Sequence, residues 1–358
     1  MTAPRRLAGF CFDHMHMGDL LGKALRSDAY EVVGVYDTQL ERMAEVCADL
    51  GIGDALQFTD WLTLIESTRP EVAVVCSTTA EHTDWVERLA SRGIHVLLEK
   101  PFAVSAEEAR RAIDLAEQHG VALCVNWPLA WFATHRTTQR LVAEGAIGEL
   151  LEVHYYDGNR GPQFHQHDKK EVAGDDSRSW WFSKAAGGGS LLDYLGYGVT
   201  LATWFRAGEL PSEVSTLQHV PSGHEVDVQS VTIARYASGL STYQTRWGTF
   251  TDPWTIQPQP FCGFTVVGTR GTIMSRDYAE TVVVQTTAHP APAEVPVDEF
   301  PDSDDIFALL DRSLTSGEAV PGPCGPEISL GGQLIVDAAI ASADSGRPVT
   351  VAQREDTP

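Results

Sequence analysis

The chain has 358 residues, 43% of them hydrophobic, a formal net charge of −23 and six cysteines. That is enough for two buried cores and too apolar for a disordered chain. The acidic balance, with no Lys/Arg cluster to offset it, argues against nucleic-acid and anionic-membrane partners. No apolar stretch approaches the roughly 20 residues that span a bilayer.

The segment Met1–Arg6 is positively charged, but the apolar stretch after it is short and contains Asp13 and His14. It reads as a first strand, Leu7–Phe12, rather than a signal peptide. Glu31–Tyr36 reads as a second strand. Thr38-Gln-Leu-Glu41 reads as a capping box that opens a helix to about Leu50. Val72–Cys76 is an unbroken apolar run, as expected of a parallel strand covered on both faces. A helix over His82–Ala90, a strand over His95–Leu98, a helix opened by Ser105-Ala-Glu-Glu108 and a strand over Val121–Val125 follow. The alternation predicts an α/β fold: residues 1–125 form a Rossmann domain with a doubly wound parallel sheet.

Beyond Asn126 the pattern changes. A helix is expected over Phe132–Glu144, then strands over Leu150–Tyr156, Val226–Tyr236, Leu240–Arg246, Phe264–Val267 and Thr281–Gln285. Several alternate apolar and polar residues, so 126–358 reads as an α+β domain with a mostly antiparallel sheet. Its last helix, Glu327–Ser345, is expected to pack back on the first domain. The cysteines are scattered, with no C-x-x-C pair, and read as reduced, packed thiols of a cytoplasmic protein.

Open α/β sheets bind ligands beyond the carboxyl ends of their strands. There the first turn reads Gly9-Phe-Cys11-Phe-Asp-His14-Met-His16, keeping only the first glycine of G-x-G-x-x-G. Asp13 would repel phosphates or cap the helix. Asp37 ends the second strand, where an acidic side chain takes the ribose hydroxyls of NAD and disfavours the extra phosphate of NADP; a helix N-terminal charge is its other reading. Ser77-Thr78-Thr79 would contact the dinucleotide or serve the turn.

Glu99-Lys100-Pro101, the preceding Ser77–His82 turn, Glu144–Gly148, Gly187–Tyr197, Gly268–Thr272 and Ser342–Arg347 occur together in this order. In these segments the chain resembles the Gfo/Idh/MocA oxidoreductases over almost its whole length. The resemblance implies NAD(P) chemistry on sugars, polyols or related hydroxylated compounds, and a second domain with a large open sheet. It implies cofactor contacts from Gly9, Phe12, His14, Asp37, Ser77, Thr78, His82, Glu99 and Lys100. It also implies self-association, as a homodimer or homotetramer, through the open sheet. Two departures stand out: the Gly-poor His14-Met-His16 turn, and Tyr197 where the family often has histidine. The tyrosine places the chain in the branch similar to glucose–fructose oxidoreductase and dihydrodiol dehydrogenase.

Oxidation of a secondary alcohol needs a hydride acceptor and a proton acceptor. Tyr197 is the expected acid/base, Lys100 the cation that lowers its pKa, and Asp193 the orienting group, four residues before Tyr197 on one helical face. The plainer readings are a surface lysine, a helix cap and a core tyrosine. Asn126, Trp127, His165, His167 and Trp181 are candidate substrate contacts. For the tryptophans, core packing is the alternative. The His165-Gln-His167-Asp168 segment would bind substrate, form a surface loop or hold a metal; too few converging ligands are evident, and no metal is expected. Two other functions share this pattern: an NAD-dependent lyase or glycosidase that oxidises a sugar transiently, and a non-catalytic ligand-binding member.

Overall fold

The computed structural model describes residues 3–162, 179–301 and 303–353. They divide into two compact units. The first contains the chain up to Asn126 together with 303–326; the second contains Trp127–Pro162, 179–301 and 327–353.

The first unit is built on β1 (Arg5–Phe10), β2 (Tyr30–Tyr36), β3 (Gln57–Phe58), β4 (Val72–Val75), β5 (His95–Glu99) and β6 (Leu123–Asn126). They form one sheet in the order β3-β2-β1-β4-β5-β6, and every pairing is parallel. The connecting helices are α1 (His16–Arg26), α2 (Leu40–Leu50), α3 (Trp61–Thr68), α4 (His82–Ala90) and α5 (Ala106–His119). All four residues of β4 are sealed from solvent, which explains their unbroken valine-rich run. Each such valine stabilises the core by about 1.5–3 kcal/mol.

Helix boundaries follow local chemistry. Ser105 Oγ accepts from the Glu108 amide at 3.2 Å, completing the expected cap of α5, and Gly120 ends that helix at φ 64°. The box expected at Thr38 does not form. Helix α2 starts at Leu40, and Asp37 Oδ1, not Thr38, accepts from the Gln39 amide. Thr38 Oγ1 instead donates to Asp37 Oδ1 at 3.4 Å, which leaves the threonine without the capping role. Gly9 lies under α1: a Cβ there would meet Met17 Sδ at 3.0 Å and Leu21 Cδ2 at 3.3 Å. This glycine therefore serves close helix–strand packing.

The second unit opens with α6 (Ala133–Ala143) and β7 (Leu150–Asn159), then runs through a π-helical turn over Leu191–Leu195 into α7 (Gly196–Phe205). Next come β8 (Glu213–His219), β9 (Gln229–Arg235), β10 (Leu240–Trp247), β11 (Gly263–Gly268), β12 (Gly271–Arg276), β13 (Thr281–Thr286) and β14 (Ala293–Pro296). Helix α8 (Ile306–Ser316) returns to the first unit, and α9 (Pro326–Ser345) and β15 (Val349–Thr350) complete the second. The sheet order is β14-β13-β12-β11-β7-β10-β9-β8-β15. Its pairings are antiparallel except β7 with β10, which run parallel.

One face of this sheet is packed closely. A Cβ on Gly198 of α7 would lie 2.4 Å from the Tyr155 ring, and one on Gly332 of α9 would lie 2.1 Å from Thr200. Ser342 of α9 accepts from the Thr216 amide at 2.9 Å. These contacts place α9 on α7 and β8 of its own unit. The opposite face carries Ser215, Ile233, Thr242, His154 and Thr265 in one cross-strand row. Leu217, Ile233 and Leu240 are exposed there.

A polar network lies inside this unit. His135 contacts Ser275 Oγ at 2.7 Å through Nδ1 and Asp277 Oδ1 at 2.8 Å through Nε2. None of the three is more than 2% exposed. Nearby, the Tyr155 hydroxyl donates to Asp157 at 2.7 Å. Burial, and then the charge of Asp277, pushes the Asp157 carboxyl upward. The serine–histidine–aspartate order resembles a nucleophilic site, but a sealed one has no route for substrate, and it serves as a satisfied core network.

Candidate active site

The strand order reverses between β1 and β4, and the turn after β1 faces that crevice. Cys11, at the second glycine position, has φ 67°, a left-handed conformation that costs a side-chain-bearing residue about 1–2 kcal/mol. The turn's amides point inward. Cys11 N–H donates to Tyr36 O at 2.8 Å, Phe12 N–H to Asp37 Oδ2 at 2.8 Å, and the Asp13 and His14 amides both to Cys76 O at 3.1 Å. Asp13 pairs with Arg42, and burial pushes its carboxyl from 3.8 up to about 6 despite that partner.

His14 and His16 meet Glu99, the last residue of β5. His16 Nδ1 lies 2.8 Å and His14 Nε2 3.8 Å from Glu99 Oε1. Asn126, at the end of β6, donates Nδ2–H to Glu99 Oε2 at 2.7 Å. Glu99 is sealed. Burial opposes its ionisation, but the charge and hydrogen bond of His16, then Lys100 and Asn126, outweigh it and hold the carboxyl below its usual range. Lys100 is 4% exposed and precedes Pro101 through a cis peptide bond.

Asp37 is also buried, its oxygens engaged by the Phe12 and Gln39 amides. A carboxylate has about four lone-pair sites, so capacity for ribose hydroxyls remains. Ser77 donates its hydroxyl to Thr78 O at 3.2 Å. His82 sits between Phe102 O (3.2 Å) and Ser77 O (3.3 Å), and burial lowers its pKa. It staples the loop after β4 to the loop after β5. Asp37, Ser77, Thr78, Glu99 and Lys100 are the residues that would hold a nicotinamide dinucleotide at these strand ends. The amides that would cradle its pyrophosphate are already used inside the turn.

In the second unit the π-helical turn carries Asp193 and leads into Tyr197. Such wide turns are frequent at functional sites. Its start is fixed by Asp227, both of whose oxygens accept from the Leu191 amide at 3.1 Å. Trp247, the last residue of β10, donates Nε1–H to Asp193 Oδ2 at 3.2 Å. Tyr197 is 5% exposed and meets the Trp127 ring edge-on, with centroids 5.4 Å apart. Trp181 stacks on Trp180 at 3.9 Å and meets Trp247 at 6.5 Å. Trp127 donates its indole N–H to Ser329 Oγ at 3.0 Å, so it supports Tyr197 from the core, while Asn126 orients Glu99.

Sequence reasoning missed Trp247, one residue beyond the expected strand Leu240–Arg246, and Asp227, which fell inside the expected strand Val226–Tyr236. It also missed the pairing of His16 with Glu99, 83 residues away. His165 and His167 lie outside the described residues.

A six-stranded parallel sheet of this order, with a second unit built on a large, almost wholly antiparallel sheet, is the architecture of a two-part dinucleotide-dependent oxidoreductase. Residues 12–127 match the family model described as oxidoreductase family, NAD-binding Rossmann fold, and residues 135–274 match the GFO/IDH/MocA C-terminal domain. The chain belongs to the Gfo/Idh/MocA oxidoreductase family.

Over 259 residues it is 29% identical to a 1,5-anhydro-D-fructose reductase of Ensifer adhaerens, covering 71% of each chain. Over 144 residues it is 33% identical to an inositol 2-dehydrogenase of Pseudomonas fluorescens (strain SBW25), covering 40% of this chain and 42% of that one. The fold is similar to an aldose–aldose oxidoreductase of Caulobacter crescentus, solved with glycerol (TM-score 0.80, 16% identity, 97% and 99% of the two chains). It is also similar to a levoglucosan dehydrogenase in complex with NADH and levoglucosan (TM-score 0.79, 18% identity, 98% and 100%). Among the described residues, no helix is long and apolar enough to cross a membrane. None of the six cysteines forms a disulfide, and all are buried.

Proposed function

We propose that this protein moves a hydride between a nicotinamide dinucleotide and a secondary hydroxyl or ketone of a sugar, glycoside or cyclitol. The observation that carries this reading is the Asp193 carboxylate, held by Trp247 on the π-helical turn that leads into the buried Tyr197. The bound nicotinamide would supply the hydride acceptor or donor. Tyr197 takes the substrate's hydroxyl proton. Its phenol, ordinarily near a pKa of about 10, must be lowered to do so at neutral pH. Lys100 supplies the positive charge that favours the phenolate, and Asp193 orients the reacting hydroxyl.

The sugar or cyclitol class is supported by the reactions named for the relatives. NAD over NADP is supported by Asp37, whose charge disfavours an additional phosphate. Self-association through the face bearing Leu217, Ile233 and Leu240 is part of the proposal, since that face leaves apolar side chains exposed. A cytoplasmic location agrees with six buried cysteines that form no disulfide.

The test is Tyr197→Phe, assayed across a panel of sugars and cyclitols with NAD⁺ and NADP⁺. Loss of a general acid/base should lower turnover about 10²–10⁴-fold and leave dinucleotide affinity unchanged. Full turnover in this variant would remove the tyrosine from the mechanism.

A further inference from the structure

We infer that His14, His16 and Glu99 bind a divalent transition-metal ion. The ligand atoms are His14 Nε2, His16 Nδ1 and Glu99 Oε1. The inference does not depend on the dinucleotide.

The potential ligands come from the turn after β1 and the end of β5, and all lie within 4.8 Å of one another. With bonds of about 2.0–2.1 Å, the ligand atoms of a tetrahedral zinc stand roughly 3.3 Å apart. The separations here, 2.8 Å and 3.8 Å to Glu99 Oε1, lie on either side of that value. Movements of roughly half an ångström bring these two separations to that value and leave a fourth position for water. The His16 side chain is 22% exposed and has room to make one of them. Two imidazoles and a carboxylate suit zinc or iron(II) better than magnesium or calcium, which prefer oxygen.

The surroundings favour a cation. Glu99 is sealed from solvent. Its second oxygen is fixed by Asn126, the kind of support that orients a metal-binding carboxylate. Asp13 and Asp37 flank the same turn, with Arg42 as their opposing charge. The amides that would make this turn an anion cradle are spent on Cys76 O and Asp37. Lys100 is the opposing charge on Glu99, and the metal must outweigh it.

At His14, Nδ1 accepts from the His16 amide at 3.2 Å, which puts the neutral ring's proton on Nε2. Metal binding at Nε2 sends that proton to Nδ1 and gives up the contact. At His16 the ion takes Nδ1, and the neutral ring carries its proton on Nε2.

The experiment titrates the full-length, chelator-treated protein with zinc alone, by calorimetry. The expected result is one zinc per chain. His16→Ala and Glu99→Gln should each weaken binding by more than the roughly 10–100-fold expected for Asn126→Ala, which removes only a supporting hydrogen bond. Zinc uptake should persist in the double variant His165→Ala/His167→Ala and in His219→Ala, an exposed histidine on β8. Absence of zinc uptake by the parent, or parent-like affinity in the His16 and Glu99 variants, overturns the inference. If those two variants fail to fold, cobalt(II) added to the double histidine variant decides. Ligand-field bands and two paramagnetically shifted imidazole N–H resonances support the site, and their absence overturns it.

Discussion

Asp227→Asn tests whether the turn bearing Asp193 is fixed by a buried charge. The carboxylate accepts from the Leu191 amide with both oxygens and is only 4% exposed. Burial is the largest influence on it and pushes its pKa from 3.8 to about 6. The Leu191 and Asp227 amides resist the rise, and the Asp193 charge adds to it. A rise of about two pKa units corresponds to roughly 3 kcal/mol. Between about pH 4 and 6 the folded state holds a proton that the unfolded chain has lost, so this group's contribution to stability falls as pH rises through that window and stays level above it. Asparagine does not titrate, and its carbonyl can still accept from Leu191. The difference in unfolding free energy should therefore shift toward the variant by up to about 3 kcal/mol between pH 4 and 7. Urea unfolding followed by tryptophan fluorescence at several pH values measures this, taking the transition of the second unit where two are resolved. A difference that does not change with pH, or that shifts toward the parent, would refute the reasoning.

Trp247→Phe keeps the ring but removes the donor to Asp193. A hydrogen bond to a charged group contributes about 1.5–3 kcal/mol, so kcat should fall roughly ten- to hundredfold if Asp193 orients the reacting hydroxyl; a change confined to thermal stability would reduce Trp247 to a packing residue. Ile233→Glu places a charge in the exposed cross-strand row of the open face. Sedimentation velocity should show smaller species than the parent, and identical sedimentation would remove that face from assembly.

The fold was largely legible because its strongest signals are local. The sealed run Val72–Val75 could only be a doubly covered strand, and Ser105 with Glu108 marked a helix start that the backbone uses. Contacts set by geometry were harder to read. Strand β12, Thr-Ile-Met-Ser between Gly271 and Arg276, has weak alternation and takes its place from its neighbours β11 and β13. The parallel pairing of β7 with β10 has no local signature at all. In the site, Glu99-Lys100-Pro101 and Asp193-x-x-x-Tyr197 stood out by spacing, whereas Trp247 and Asp227 acquire roles only when the end of β10 and the loop before β9 come back to the π-helical turn. The missing glycines of the first turn were visible in the sequence. The inward aim of its amides, and the arrival of Glu99 beneath His14 and His16, were not.

The large sheet ends on one side in the four-residue β14, closed by Pro296, and on the other in the two-residue β15. A proline donates no hydrogen bond, and a two-residue strand offers little backbone to an intruder, so neither margin is a good template for edge-to-edge growth. Crowding or partial loosening of this protein should therefore yield finite clusters joined through the open face rather than fibrils propagated by strand addition.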